Sequence, residues 1–297
     1  MNYRTDLAIE CTDVINLNGE EKGIKVTRRD LDNAKVTIVE ILTEEAYKRT
    51  GKPVGKYITV EVPPFTHDGE LLDGRLTAVS HEISRILPKS GTVLVAGLGN
   101  DNITPDALGP QTASMLLATR HLNEEVTGEL GLGRLRSVAA AVPGVLGRTG
   151  METAEIIKGL VREISPSAVI IVDALACRSF ERLGCTVQIS DCGVVPGGGV
   201  GNSRKEISEK TVGVPVISMG VPTVIDAATL CTDLTNKISG KEEEGLYEKY
   251  HSAGGDMIVT PKDIDMLTKR AARLVALSIN CALQPTVSAQ DMVTLTF

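Results

Sequence analysis

Two aspartates sit where a sheet protein could use them for chemistry. In VLVAGLGNDNITPDALGP (93–110) a run of small apolar residues closes on Gly97-Leu98-Gly99, and a loop carries Asp106 toward the next apolar stretch. In SAVIIVDAL (167–175) Asp173 ends a strongly apolar run, where an ionised group is costly unless it is paired or functional. Open parallel sheets gather ligands beyond the carboxyl ends of their strands. Two carboxylates held close in such a crevice cannot both ionise easily, so one keeps a proton. That pair suits general acid–base hydrolysis of an amide, one group taking a proton from water and the other giving one up. The residues also allow plainer roles. Asp106, beside Pro105, could cap a helix, and Asp173 could accept backbone N–H groups.

The glycines invite a different reading, a phosphate cradle. The dinucleotide fingerprint needs Gly-x-Gly-x-x-Gly and an acidic residue at the end of the next strand. Gly97 and Gly99 fit, but the third position is Asn102 and the next strand ends in Val142-Pro143. No Gly-Lys-Ser/Thr follows at the spacing of a phosphate-binding loop. The glycines fit better as substrate-positioning elements, with backbone N–H groups around Gly97, Gly99 and Asn100 available to a developing oxyanion. For metal, the four histidines (67, 81, 121 and 251) include no pair at three- or four-residue helical spacing. An all-oxygen site for a hard cation using Asp106, Asp173 and Asp256 stays open, but nothing in the spacing demands it. No cofactor is expected.

These aspartates need strands and helices to hold them. The pattern from residue 92 is β-α-β: strands at 92–98, 137–142, 167–175, 185–190 and 214–222, with helices over 105–122, 149–164 and 261–283. A further helix begins near Pro222 and carries Asp226. Earlier, alternating apolar positions predict strands at 34–42 and 55–63, and a helix over 68–87 that Pro88 stops. The first 33 residues have no clear period. Short buried strands alternating with helices predict an α/β fold, a mostly parallel sheet with helices on both faces. The glycine-dense stretch 193–208 is the one conspicuous irregular loop, a candidate cover for the crevice.

The bulk properties narrow the function classes. With 31 basic against 38 acidic residues the net charge is −7, which argues against direct nucleic-acid binding. The chain has no tryptophan and only three phenylalanines, so Val, Ile, Leu and Ala must build the core. Six cysteines without a Cys-x-x-Cys pair read as reduced thiols of a cytoplasmic protein. The polar N-terminus lacks the apolar stretch of a signal peptide, and no run of about 18 apolar residues suggests a membrane span.

Taken together, GLGNDNITPDALGP, AVPGVLGRTGMETAEII (141–157), IIVDALACR (170–178), PGGGVGNSRKEIS (196–208) and GVPTVIDAATL (220–230) resemble the spore germination protease family. The likeness runs over essentially the whole chain. It implies an aspartic-type endopeptidase that degrades small acid-soluble spore proteins at germination, in the spore core, as a homotetramer. Its two catalytic aspartates carry over onto Asp106 and Asp173. The implied fold is related to that of the hydrogenase maturation endopeptidases. The resemblance also implies a self-processing zymogen. Thr5-Asp6-Leu7-Ala8 followed by Ile9-Glu10 is similar to the family's cleavage pattern, which points to a cut between Ala8 and Ile9. Residues 1–8 are then a propeptide and 9–297 a single α/β peptidase domain. Without the resemblance, the same residues read as a disordered tail.

Overall fold

The computed structural model describes the chain except residues 1–3, 12–13, 15–16, 32, 68–70, 123–127, 129–133, 199–203, 242 and 255. One ten-stranded sheet runs through it. The strands are β1 (Gly19–Glu21), β2 (Ile24–Leu31), β3 (Ala34–Ile41), β4 (Gly55–Glu61), β5 (Val93–Gly97), β6 (Val138–Ala141), β7 (Ala168–Cys177), β8 (Thr186–Ser190), β9 (Val216–Asp226) and β10 (Ile258–Val259). Their spatial order is β1-β2-β3-β4-β8-β9-β7-β5-β6, with β10 pairing the far end of β9.

The half from β9 to β6 is parallel, as the β-α-β pattern requires. The other half is an antiparallel meander that joins it through β8 and β9. This is the expected α/β architecture with an antiparallel wing. The wing's first two strands come from the stretch that shows no period in sequence. The reason is visible in β2, where only Ile24 and Val26 are buried and the remaining residues face partly or wholly outward.

Alternation along the central strands sorts side chains to two cores. Val93, Val95, Ile170 and Val172 face one side, under the helices Gly74–Ile86 (α1) and Ile264–Leu283 (α2). Leu94, Ala96, Val169 and Ile171 face the other, under Thr153–Ile164. Both faces are therefore apolar, so the central strands read as continuous apolar runs rather than alternating ones.

Two expected helices are corrected. The helix expected over 105–122 is a 3-10 turn at Thr104–Asp106 and a helix only over Leu108–Ser114. Past Met115 the buried Asn280 takes over the backbone bonds, its Oδ1 accepting from the Leu117 N–H at 3.0 Å and its Nδ2 donating to the Met115 carbonyl at 3.1 Å. A tertiary partner thus replaces the next helical turn. The helix expected to begin near Pro222 begins five residues later, at Ala227, because β9 continues to Asp226. Asp226 then caps Ala227–Ser239, accepting from the Thr229 N–H at 2.9 Å. Within 68–87, α1 occupies Gly74–Ile86, and residues 68–70 lie outside the described residues, as do 199–203 of the glycine-dense loop.

Gly97 closes β5 directly against the first turn of Leu108–Ser114, and a Cβ there would run into the Gly109 carbonyl. Rigid backbone on both sides leaves no room to yield. Gly97→Ala should therefore cost about 1–3 kcal/mol, read as a melting temperature several degrees lower in thermal denaturation. An unchanged melting temperature would contradict this packing.

Candidate active site

β5 stops at Gly97, which lies opposite Val172 of β7. β7 continues for five more residues, Asp173 to Cys177, with β9 along one edge. The missing length of β5 opens a crevice at the carboxyl end of the parallel sheet, and Asp173 stands at its floor.

Asp173 is 8% exposed, and its Oδ1 accepts the Ala174 N–H at 2.9 Å. Asp106 arrives from the loop after β5. Its N–H donates to the Ile103 carbonyl at 2.8 Å, and its carbonyl accepts from the Asn100 N–H at 3.1 Å. The Thr223 hydroxyl donates to the Pro105 carbonyl at 2.7 Å, which ties the turn to β9. Gly99 has φ of +112°, and a Cβ there would strike the Asp106 carbonyl. Only glycine meets both demands, so Gly99 brings the loop tightly around Asp106.

Both carboxyls hold protons more firmly than usual. Burial pushes Asp106 up to about 6, against a smaller downward pull from the Asn100 N–H. Burial, then the charges of Asp106 and Asp6, raise Asp173 well above the ordinary carboxylate range. The two aspartates face one cavity of about 590 Å³. Gly99 and Asn100 line it with them, and so do Val194 to Gly197 and Arg204 on either side of the undescribed part of the 193–208 loop. Gly97 backs the site from outside the cavity. Asp256 does not line the aspartates' cavity; its carboxylate is exposed and pairs with Arg4 at 3.4 Å. Among the described residues, no three His, Cys, Asp or Glu side chains gather as a metal cage.

The N-terminal segment is a built part of this site, so the tail reading is corrected. Leu7, Ala8, Ile9 and Glu10 are all buried. Asp6 lines the cavity itself. Its N–H donates to the Ala176 carbonyl at 2.9 Å, and its Oδ2 accepts from the Ala176 N–H at 2.8 Å. The Lys52 Nζ donates to the carbonyls of Thr5 and Asp6 at 3.0 and 2.9 Å. Gln188 donates to the Asp6 carbonyl and accepts from the Ala8 N–H, both at 2.8 Å. Glu10 anchors the far end, accepting from the N–H groups of Arg178 at 2.6 Å and Ser179 at 3.0 Å. Sequence reasoning missed Lys52, Gln188 and the anchoring role of Glu10. Nothing local marks them, since each gains its role from partners more than forty residues away. Ala8 and Ile9 are seated between these anchors, outside the cavity lining.

A model of the germination protease family matches residues 6–249. The chain belongs to the germination protease family. Relatives agree over almost their full lengths. The germination protease of Clostridium perfringens is 42% identical, covering 98% of this chain and 98% of that one. The one from Caldanaerobacter subterraneus subsp. tengcongensis is 42% identical over 98% and 97%. The one from Priestia megaterium is 35% identical over 98% and 96%. Among solved structures, the [NiFe] hydrogenase maturation protease HycI of Thermococcus kodakarensis aligns with a TM-score of 0.37 at 16% identity, over 67% of this chain and 98% of that one. Among the described residues of this germination protease relative, no helix is long and apolar enough to cross a membrane.

The raised carboxyls make a pH prediction whose sign follows from linkage. Asp106 binds its proton more tightly folded than unfolded, so its neutral form is tolerated and its charged form is penalised. That penalty is absent below the unfolded value near 3.8 and complete once pH passes about 6. Asp106→Asn removes it. The variant should be more stable than the parent by about 1–2 kcal/mol at pH 7.5, less than the full shift implies because the carboxyl is only partly buried. The gain should vanish near pH 4. Urea unfolding at the two pH values checks this, and a variant no more stable at pH 7.5 would contradict it.

Proposed function

We propose that this chain is the zymogen of an aspartic-type endopeptidase that degrades small acid-soluble spore proteins at germination, with Asp106 and Asp173 activating the attacking water. The observation that carries the reading is two desolvated carboxyls brought into one cavity, Asp173 from β7 and Asp106 from the loop after the adjacent parallel strand β5. Burial raises the proton affinity of both carboxyls, and Asp173 also meets the charges of Asp106 and Asp6. The pair then enters the reaction sharing one proton. One member of the pair takes a proton from water as the oxygen attacks the scissile carbonyl, and the other gives its own to the carbonyl oxygen. Collapse of the tetrahedral intermediate returns a proton to the leaving nitrogen. Backbone around Gly99 and Asn100 lies beside that oxygen in this scheme, although the Asn100 N–H is already given to the Asp106 carbonyl.

Inhibition by so short a propeptide follows from where Asp6 sits. It brings a third carboxyl to the cavity and adds to the charge that Asp173 meets. The proposed cut between Ala8 and Ile9 lies in a buried 3-10 turn, so the segment must leave its berth before the bond can reach the aspartates. After removal of residues 1–8 the remaining chain, 9–297, forms the peptidase domain, and it assembles as a homotetramer in the spore core.

Mass spectrometry of the purified chain over time, with and without chelator, tests this reading. A new N-terminus at Ile9 is expected, unaffected by chelator. Asp106→Asn and Asp173→Asn should each slow its appearance by at least about a hundredfold. Near-normal processing in both variants would overturn the aspartate pair, and loss in chelator restored by a divalent ion would replace it with metal chemistry. Release of the segment makes a separate prediction. Lys52→Met removes two bonds to the Thr5 and Asp6 carbonyls and should hasten the Ile9 terminus severalfold. A terminus that forms no faster would count against release as the limiting step.

A further inference from the structure

The projecting part of β7 has a second edge, and its use follows from strand geometry. Alternate residues of a strand direct their N–H and C=O groups to opposite sides. The Val172 carbonyl accepts from the Leu98 N–H at 2.8 Å, on the β5 side. Both backbone groups of Ala176 are engaged by Asp6 on that same side. Ala174 lies between them at the same parity, so its backbone also faces the β5 side. There β5 has ended, and Ala174 lines the cavity next to Asp173. Beyond Val172, the edge therefore offers the Ala174 carbonyl, the Ala174 N–H being given to Asp173 Oδ1, and, once Asp6 leaves, both backbone groups of Ala176, directly along the catalytic floor.

What covers Ala176 shows what this edge accepts. The Asp6 N–H pairs with the Ala176 carbonyl as a neighbouring strand's would. The Asp6 carboxylate takes the Ala176 N–H, filling the place of a peptide carbonyl in a ladder. One backbone bond and one side-chain imitation of a second hold the segment there. A full strand would supply both from its main chain.

We propose that the β7 edge at Ala174 and Ala176 is the substrate-docking strand, and that it binds the main chain of an extended peptide by strand addition. The inference rests on the peptidase reading of Asp106 and Asp173. Its occupant is a segment able to become extended, so the substrates are proteins with flexible or unfolded stretches rather than rigid surface loops. Docking on β7 lays the chain across Asp173 and sets the register of the bond to be cut. The N-terminal segment is inhibitory because Asp6 holds the same backbone groups that a substrate needs.

The test uses the full chain carrying Asp6→Ala, which gives up the carboxylate bond to Ala176, and a fluorescein-labelled peptide copying residues 2–11. Six versions of the peptide each carry one backbone N-methyl group, at successive residues from 4 to 9. Strand pairing predicts a period of two: methylation at alternate nitrogens should lower kcat/KM at least tenfold, and the nitrogens between them should tolerate it within about threefold. Asp6→Ala itself should raise kcat/KM for the unmethylated peptide at least tenfold over the parent. Cleavage of all six peptides within threefold of one another, or no gain from Asp6→Ala, would overturn the docking strand. Anisotropy with the chain carrying both Asp6→Ala and Asp173→Asn reads binding apart from chemistry. Alternating affinity there, with no peptide cut by the Asp6→Ala chain, would leave the docking strand standing and remove the peptidase reading. Cleavage without alternation would do the reverse.

Discussion

The site depends on a mismatch of strand lengths. β7 carries an acidic residue at the point where its parallel neighbour β5 ends. Had β5 continued, the Asp173 region would be sealed in the sheet and Ala174 would be paired. Because β5 stops, the carboxyl is desolvated by the sheet behind it and open to a cavity in front. That single feature raises its proton affinity and creates the crevice. It also leaves a stretch of strand edge for another chain to use. Gly97 and Gly99 serve this arrangement by letting the chain turn tightly away from β5 and return with Asp106.

The N-terminal segment is organised by the same edge. Its residues are tied to elements far apart in sequence: Asp6 to β7, Ala8 to β8 through Gln188, and Glu10 to the turn that follows β7. Leu7 is fully buried with Leu175, Cys177 and Ile225, so the segment adds to the core as well as lying on the site. In the zymogen proposal, packing and inhibition are one interaction. A segment this short holds its place because burial of Leu7 and the Glu10 anchor support the single carboxylate at Ala176. Removing it would bare apolar surface beside the cavity, where an extended chain could replace it.

Much of the site is legible in the sequence because its logic is local. VLVAG and IIVD are apolar runs too short for helices; IIVD ends in Asp173 itself, and VLVAG is followed by the glycine loop that carries Asp106. A buried parallel strand explains the run, and its carboxyl end explains the aspartate. The rest depends on partners the sequence does not announce. β2 is mostly outward-facing and carries no alternation to find. The helix after Asp106 ends early because Asn280, some 160 residues away, captures the backbone at Met115 and Leu117. Asp226 resembles a helical residue but is the cap that starts the helix. The N-terminal segment looks like a polar tail, since its burial is decided by β7, β8 and Lys52 rather than by its own pattern.

The pairing of two carboxyls in one desolvated site is best tested by carbon-13 NMR of the aspartate side-chain carboxyls across a pH titration, with Asp106→Asn and Asp173→Asn to assign the signals. The geometry predicts that Asp106 titrates near pH 6 and Asp173 well above the ordinary carboxylate range, the Asp173 value falling when Asp106 is replaced. Two carboxyls titrating independently near pH 4 would mean that they share no site, and the proposed chemistry would fall with them.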